Sequence, residues 1–192
     1  MSKFKLSSNT PLDGFKQEIN GISIVEIADV EIFALALKNG VRNKKKAISI
    51  FKKNFGCSMP NPGHSNKTRN PEIKVLRTSP VQIFIIFKIR DSRKVEKILS
   101  DMDKAFYITE QSDVWSGLTV SGRDIISCLE RVCPIDIATH AFGIDCFART
   151  VMEHLGVIII RCKENEFELF SSSSSAKSFL NVITTSARNI ST

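Results

Sequence analysis

The sequence predicts an α+β fold of two βαββ-like halves. Three observations carry that reading. Short apolar runs with β-branched residues alternate with helical periodicities along the whole chain. The two parts repeat a similar order of elements, β-β-α-β-β-α-β and then β-α-β-β-β-α. No apolar run approaches the roughly 20 residues of a membrane helix, and Val81–Phe87 and Val157–Ile160 have strand length.

Residues 1–20 are polar and broken by Pro11 and Gly14, which predicts an N-terminal arm that docks or stays loose. The rest, 21–192, reads as a single domain with halves 21–110 and 111–192. Ile22–Ile27 alternates as a strand, and Ile32–Leu37 returns as a second with Phe33, Leu35 and Leu37 on one face. Arg42–Phe55 places Ala47, Ile48, Phe51 and Phe55 at helical spacing, with lysines on the other side and Gly56 as the stop. Met59–Pro71 holds three prolines and a glycine and reads as a loop. Glu72–Arg77 reads as a strand. Val81–Ile89 reads as a central strand buried on both faces. Asp91 or Ser92 caps a helix over Arg93–Lys104, and Phe106–Thr109 follows as a strand.

In the second part Val114–Val120 is a strand and Ser121 caps a helix from Arg123 to about Arg131. Pro134 ends it, and a loop runs from Asp136 to Asp145. Strands follow over Cys146–Leu155, Val157–Cys162 and Phe167–Phe170. The serine run Ser171–Ser175 reads as a loop whose last member caps a helix over Ala176–Ile190.

The net charge of +7 in 192 residues permits nucleic acid, a membrane surface or an acidic protein as partner. The basic face of 42–53 lacks interleaved aromatics and any nucleic-acid motif, so no nucleic acid and no membrane are expected. No apolar core follows the two N-terminal lysines, so a cytoplasmic protein with reduced thiols is expected. No CxxC pair occurs, and His64, His140 and His154 lack zinc-ligand spacing, so no metal is expected. The glycine-rich nucleotide motifs and G-x-S-x-G are absent. Cys146 with a nearby His is the one conceivable nucleophile, and a small buried hydrophobe is the ordinary role of such a Cys. No catalytic residue is assigned, and no cofactor-binding residue is identified.

An ordered series of short segments nevertheless resembles one family. They are Glu110, Ser112, Val120-Ser121-Gly122, Cys133-Pro134-Ile135-Asp136-Ile137, Phe142, Ala148-Arg149-Thr150, Ile160-Arg161 and Phe167-Glu168-Leu169. Pro11-Leu12 and Ser79-Pro80-Val81-Gln82 extend it upstream. The series is similar to the gamma subunit of heterotetrameric sarcosine oxidase. Glu110 stands for the family's Asp, Asp113 stands where a His is common, and Gln82-Ile83 stands for a Glu-Trp pair. The resemblance implies a fold similar to the folate-binding domain of the glycine-cleavage T-protein. It implies an accessory, non-catalytic subunit of an oxidoreductase that demethylates sarcosine to glycine. Its partners would be the alpha, beta and delta subunits. FAD, FMN, NAD and tetrahydrofolate would sit on those subunits and none on this chain. A stand-alone tetrahydrofolate-binding protein and the equivalent subunit of an N-methylglutamate dehydrogenase are the alternatives.

Overall fold

The structure, a computed structural model, describes residues 9–38, 41–88 and 91–190. Its elements are β1 (Lys16–Ile19), β2 (Ile22–Ile27), β3 (Glu31–Leu37), α1 (Val41–Phe55), β4 (Ser65–Lys67), β5 (Ile73–Ser79), β6 (Gln82–Phe87), α2 (Ser92–Asp103), β7 (Phe106–Glu110), β8 (Trp115–Ser121), α3 (Ile125–Glu130), β9 (Phe147–Met152), β10 (Leu155–Lys163), β11 (Glu166–Ser172) and α4 (Ala176–Arg188). They form two antiparallel sheets, ordered β1-β2-β8-β11-β10-β9 and β4-β5-β6-β3-β7. The class is the α+β one that the residue pattern predicts.

Strand periodicity explains how the layers stack. Alternate residues of a strand face opposite sides. On β3 and β6, Phe33, Leu35, Ile83, Ile85 and Phe87 face α1 and α2, where they meet Phe51, Phe55, Val95, Ile98 and Met102. Ile32, Phe84 and Ile86 face the other way, against Phe147, Ile158, Ile160 and Phe170 of the first sheet. The far face of that first sheet, including Ile24, Leu118, Val120, Ile159 and Leu169, is covered by Ile125 and Leu129 of α3 and by Phe179 and Ile183 of α4. The order of layers is helices, sheet, sheet, helices. β6 and β10 are nearly all apolar because both their faces are covered.

Several expectations are corrected. Residues 9–20 do not form a loose arm. Thr10–Gly14 is a turn held by Glu26, and β1 pairs with β2. The remainder of the expected arm, 1–8, lies outside the described residues. β2 and β3 do not pair with each other. The chain crosses between sheets at Asp29, whose φ is 54°, and β2 pairs with β8 instead. Sheet membership therefore does not follow the division at 110 and 111, since the six-stranded sheet takes β1 and β2 from one side of it and β8 to β11 from the other. Ile48 is 45% exposed, because α1 buries a stripe led by Ala47, Phe51 and Phe55. The 59–71 loop contains β4, an edge strand on β5. The end of the expected strand Val81–Ile89, at Ile89, lies outside the described residues, as do residues 39–40 of the punctuating Asn39-Gly40.

In the second part, α3 is shorter than expected and has Asp124, not Ser121, at its N-cap. Ser121 instead ends β8. Gly122 follows at φ +154°, and a Cβ there would meet the Gly21 carbonyl oxygen at 2.4 Å, so only glycine lets this turn close on β2. The β9–β10 turn lies at Glu153-His154, with Glu153 at φ 53°, while Gly156 is within the strand. His154 is thus a turn residue, not a strand residue. Ser171 and Ser172 belong to β11, Ser173–Ser175 form a 3-10 turn, and Ser175 makes no capping hydrogen bond through its side chain. The last helix ends at Arg188.

Candidate functional site

The segments Cys133–Ile137, Phe142 and Ile160–Arg161 meet around one buried cation. Arg161 is 0% exposed, on the helix-facing side of β10. Its Nη1 donates to the carbonyls of Ile137 at 3.1 Å and Phe142 at 2.8 Å. Its Nη2 donates to Thr139 Oγ1 at 3.0 Å and to the Glu164 carbonyl at 2.6 Å. The guanidinium carbon lies 5.2 Å from the centre of the Phe167 ring, a cation–π contact. No carboxylate pairs with it among the described residues. A planar fork of five donors suits this task, because it can hold several carbonyls of an irregular segment at once. Asp136 opens the segment by accepting the Ala138 amide at 2.9 Å. The series of segments that stood out in the sequence therefore builds a scaffold, with Cys133, Ile137 and Phe142 in its core.

The opposite face of the same hairpin holds a second charged centre. Glu168 of β11 lies between the sheets, 5% exposed. It accepts from Lys74 Nζ of β5 at 2.5 Å and from Lys88 Nζ, beyond β6, at 2.8 Å. Lys74 Nζ is also 3.2 Å from Cys162 Sγ of β10. Burial works to raise the Glu168 pKa, but the two ammonium groups outweigh it and hold the carboxyl below the usual range. Burial works to lower Lys74, but Glu168 and then Cys162 outweigh it and hold the amine above its usual value. Burial, followed by the Glu168 charge, pushes the Cys162 thiol up. The cluster is a charged rivet between two sheets, and its thiol and amine are both in their protonated forms at neutral pH.

The candidate nucleophile is not set up as one. Residues His64 and Cys146 are paired in an isolated antiparallel bridge. Backbone bonds flank it, from Ser65 N to Asp145 O at 2.9 Å and from Phe147 N to Gly63 O at 3.3 Å. The bridge ties the 59–71 segment to the first sheet. The His64 ring lies 3.4 Å through Nδ1 from the Pro62 carbonyl, and no hydrogen bond joins it to the Cys146 side chain among the described residues. His140 is exposed, 3.6 Å from Asp136, and His154 is exposed on its turn. Among the described residues no three His, Cys, Asp or Glu side chains gather in a way that could hold a metal ion. None of their helices is long and apolar enough to cross a membrane.

One surface feature stands apart from both centres. A cleft of about 210 Å³ is lined by Leu37, Ala47, Ile48, Met59, Val81 and Phe106, with Lys44 at its rim. Its apolar walls include the exposed Ile48 and Val81, 45% and 55% accessible. Arg77 borders it but is committed to the carbonyls of Ser79, Pro80 and Pro60. What periodicity missed is that Ile48, placed in the core by spacing, is part of an apolar surface.

No family model matches the chain, and no curated protein sequence matches it. Solved structures do match in fold. A chain of heterotetrameric sarcosine oxidase from Corynebacterium sp. U-96, in complex with pyrrole 2-carboxylate, superposes with a TM-score of 0.80 and 13% identity over 96% of this chain and 98% of that one. The glycine cleavage system aminomethyltransferase T from Bartonella henselae superposes with a TM-score of 0.64 and 10% identity, over 88% of this chain and 46% of that one. The α+β arrangement of two βαββ-like halves is therefore shared with both, end to end with the first and with about half the length of the second.

Proposed function

We propose that this chain is the gamma, accessory subunit of a heterotetrameric sarcosine oxidase that oxidatively demethylates sarcosine to glycine. The observation that carries the reading is the end-to-end correspondence with a chain of such an oxidase, covering 96% of this chain and 98% of that one. Two chains that correspond in fold over nearly all of each other suit equivalent places in an assembly. The ordered residue series supports the same identity from the sequence side. The two charged centres support a structural role, since their side chains are spent on holding loops and sheets together.

In this reading the chain supplies interface and rigidity. FAD, FMN, NAD and tetrahydrofolate are held by the alpha, beta and delta subunits, where hydride and one-carbon transfer occur. The apolar cleft beside α1 takes an apolar anchor from an acidic surface of a larger subunit. Lys44 lines it, Lys45, Lys46 and Lys52 stand exposed on the same helix, and opposite charge steers and registers such contacts. The complex works in the cytoplasm.

Co-expression with the large flavoprotein encoded in the same host tests the proposal. The chain should co-elute with flavin absorbance, and Ile48→Asp with Val81→Asp should weaken that association. A chain that always elutes apart from the flavoprotein overturns the assignment. The fold shared with the aminomethyltransferase favours one second reading, a tetrahydrofolate-binding protein acting alone. Calorimetry on the isolated chain separates the two, since only the second predicts heat on titration with tetrahydrofolate.

A further inference from the structure

The Lys74–Cys162 contact crosses from one sheet to the other, and it has chemistry beyond packing. Lys74 belongs to β5 and Cys162 to β10, and their reactive atoms are 3.2 Å apart. That separation is within reach for bond formation once the sulfur is made electrophilic. Cys162 is only partly buried and lines a cleft of about 380 Å³ with Ser65, Asn66, Thr68 and Asp145, so a small oxidant has a way in. Glu168 Oε2 lies 2.5 Å from the same lysine nitrogen and holds it beside the sulfur. Thiol and amine therefore meet at one solvent-reachable point between the sheets.

We propose that Lys74 and Cys162 form a covalent cross-link when the protein meets hydrogen peroxide. In the first step Cys162 sulfur attacks one peroxide oxygen. The O–O bond breaks, a sulfenic acid forms, and the other oxygen leaves as water. In the second step Lys74, once its ammonium has released a proton to solvent, attacks the sulfenyl sulfur with its nitrogen lone pair. The N–S bond forms and the S–O bond breaks. The oxygen leaves as a second water, taking the remaining protons. One peroxide is reduced by two electrons and the thiol–amine pair is oxidised by two. The link is a sulfenamide, and it ties β5 of one sheet to β10 of the other. At rest the thiol is pushed up by burial and by Glu168, so the pair stays unlinked until oxidant is present in excess.

The test is peptide mapping by mass spectrometry on the full chain, before and after hydrogen peroxide. The expected product is a linked species joining the peptides that contain Lys74 and Cys162, lighter than their sum by two hydrogens and released by a thiol reductant. A linked species heavier than this by one oxygen, the N–O–S form from a second peroxide, supports the same cross-link. The treated protein should also melt at a higher temperature than the untreated one, and the shift should vanish on reduction. Cys162→Ala, which leaves both Glu168 ion pairs in place, and Lys74→Arg, which keeps the charge, should each lose the link and the shift. Two results overturn the proposal. One is Cys162 found as sulfinic or sulfonic acid with the Lys74 peptide unlinked. The other is a cross-link at Cys162 that persists in Lys74→Arg.

Discussion

Arg161 and Glu168 lie on the two strands of one hairpin and point to opposite faces of one sheet. Each brings a full charge into a core, and each is held in a different way. Arg161 faces the helices and is surrounded by neutral oxygen, with carbonyls from an irregular segment and a threonine hydroxyl. Glu168 faces the second sheet and is matched by two ammonium groups. The first arrangement orders a stretch of chain that has no regular structure. The second joins two regular surfaces. A spread of donors is what an irregular backbone needs, whereas a single carboxylate between two long lysines bridges sheets that are already formed.

The largest expected effect comes from breaking the arginine side of the pair. Arg161→Met keeps volume but leaves the Ile137 and Phe142 carbonyls without donors in an apolar core. We expect a loss of about 3–5 kcal/mol, the range for a buried polar network that loses its organising group. Urea unfolding measures it. Amide exchange should accelerate selectively in residues 137–142. Uniform acceleration across the first sheet would instead mean that Arg161 supports the sheet and not the segment.

Glu168→Gln is next. It strands Lys74, whose side chain is 24% exposed, and Lys88, at 40%, so water relieves part of the cost. About 2–3 kcal/mol is expected, below the figure for a fully buried pair broken on one side. The double variant Lys74→Met with Glu168→Leu removes both charges and should be less damaging than Glu168→Gln alone. If its cost equals the sum of the single changes, the two groups are not coupled and the rivet description fails.

The same centre predicts how stability depends on pH. Glu168 is held below its usual pKa of about 4.3. Its contribution is therefore present above that value and is lost as pH falls through the folded-state value. Lys74 is held above its usual value of about 10.4, so its contribution is present below that pH and is lost only as pH rises through the folded-state value. Melting temperatures of the wild type should fall on acidification below about pH 4. Glu168→Gln should flatten that part of the acid limb that belongs to this carboxyl. An unchanged limb would assign the acid sensitivity to other carboxylates.

Most elements were legible in the sequence, because strand and helix periods are local properties. The runs that became β6, β10, α2 and α4 carry their pattern in adjacent residues. What was not legible is pairing. β2 and β3 read as neighbours because only three residues part them, yet Asp29 turns the chain from one sheet to the other, and no local pattern encodes that. The first strand was hidden because Lys16, Gln17 and Glu18 are polar at a sheet edge, where propensity is weak. Of the charged centres, half the signal was present. A lone arginine within IIIRC and a lone glutamate within FELF are charges inside apolar runs, and such positions are buried only with partners. The partners themselves, Lys74 and the carbonyls of 137 and 142, are distant in sequence and had no mark.

A third buried charge tests the comparison at its weaker end. Glu26 is 8% exposed and accepts from Thr10 Oγ1 at 2.7 Å, Leu12 N at 2.9 Å and Gly14 N at 2.7 Å. It resembles Arg161 in kind, a charge holding an irregular stretch by its backbone one strand in from a sheet edge, but it is less completely buried than Arg161. Glu26→Gln retains one acceptor oxygen and turns an amide toward the remaining donors. The expected cost is about 1–2 kcal/mol. Protease sensitivity should rise near residues 9–14 while exchange at 137–142 stays unchanged. If the loss instead reaches that of Arg161→Met, the N-terminal turn is part of the cooperative core, and depth of burial does not set the worth of these charges.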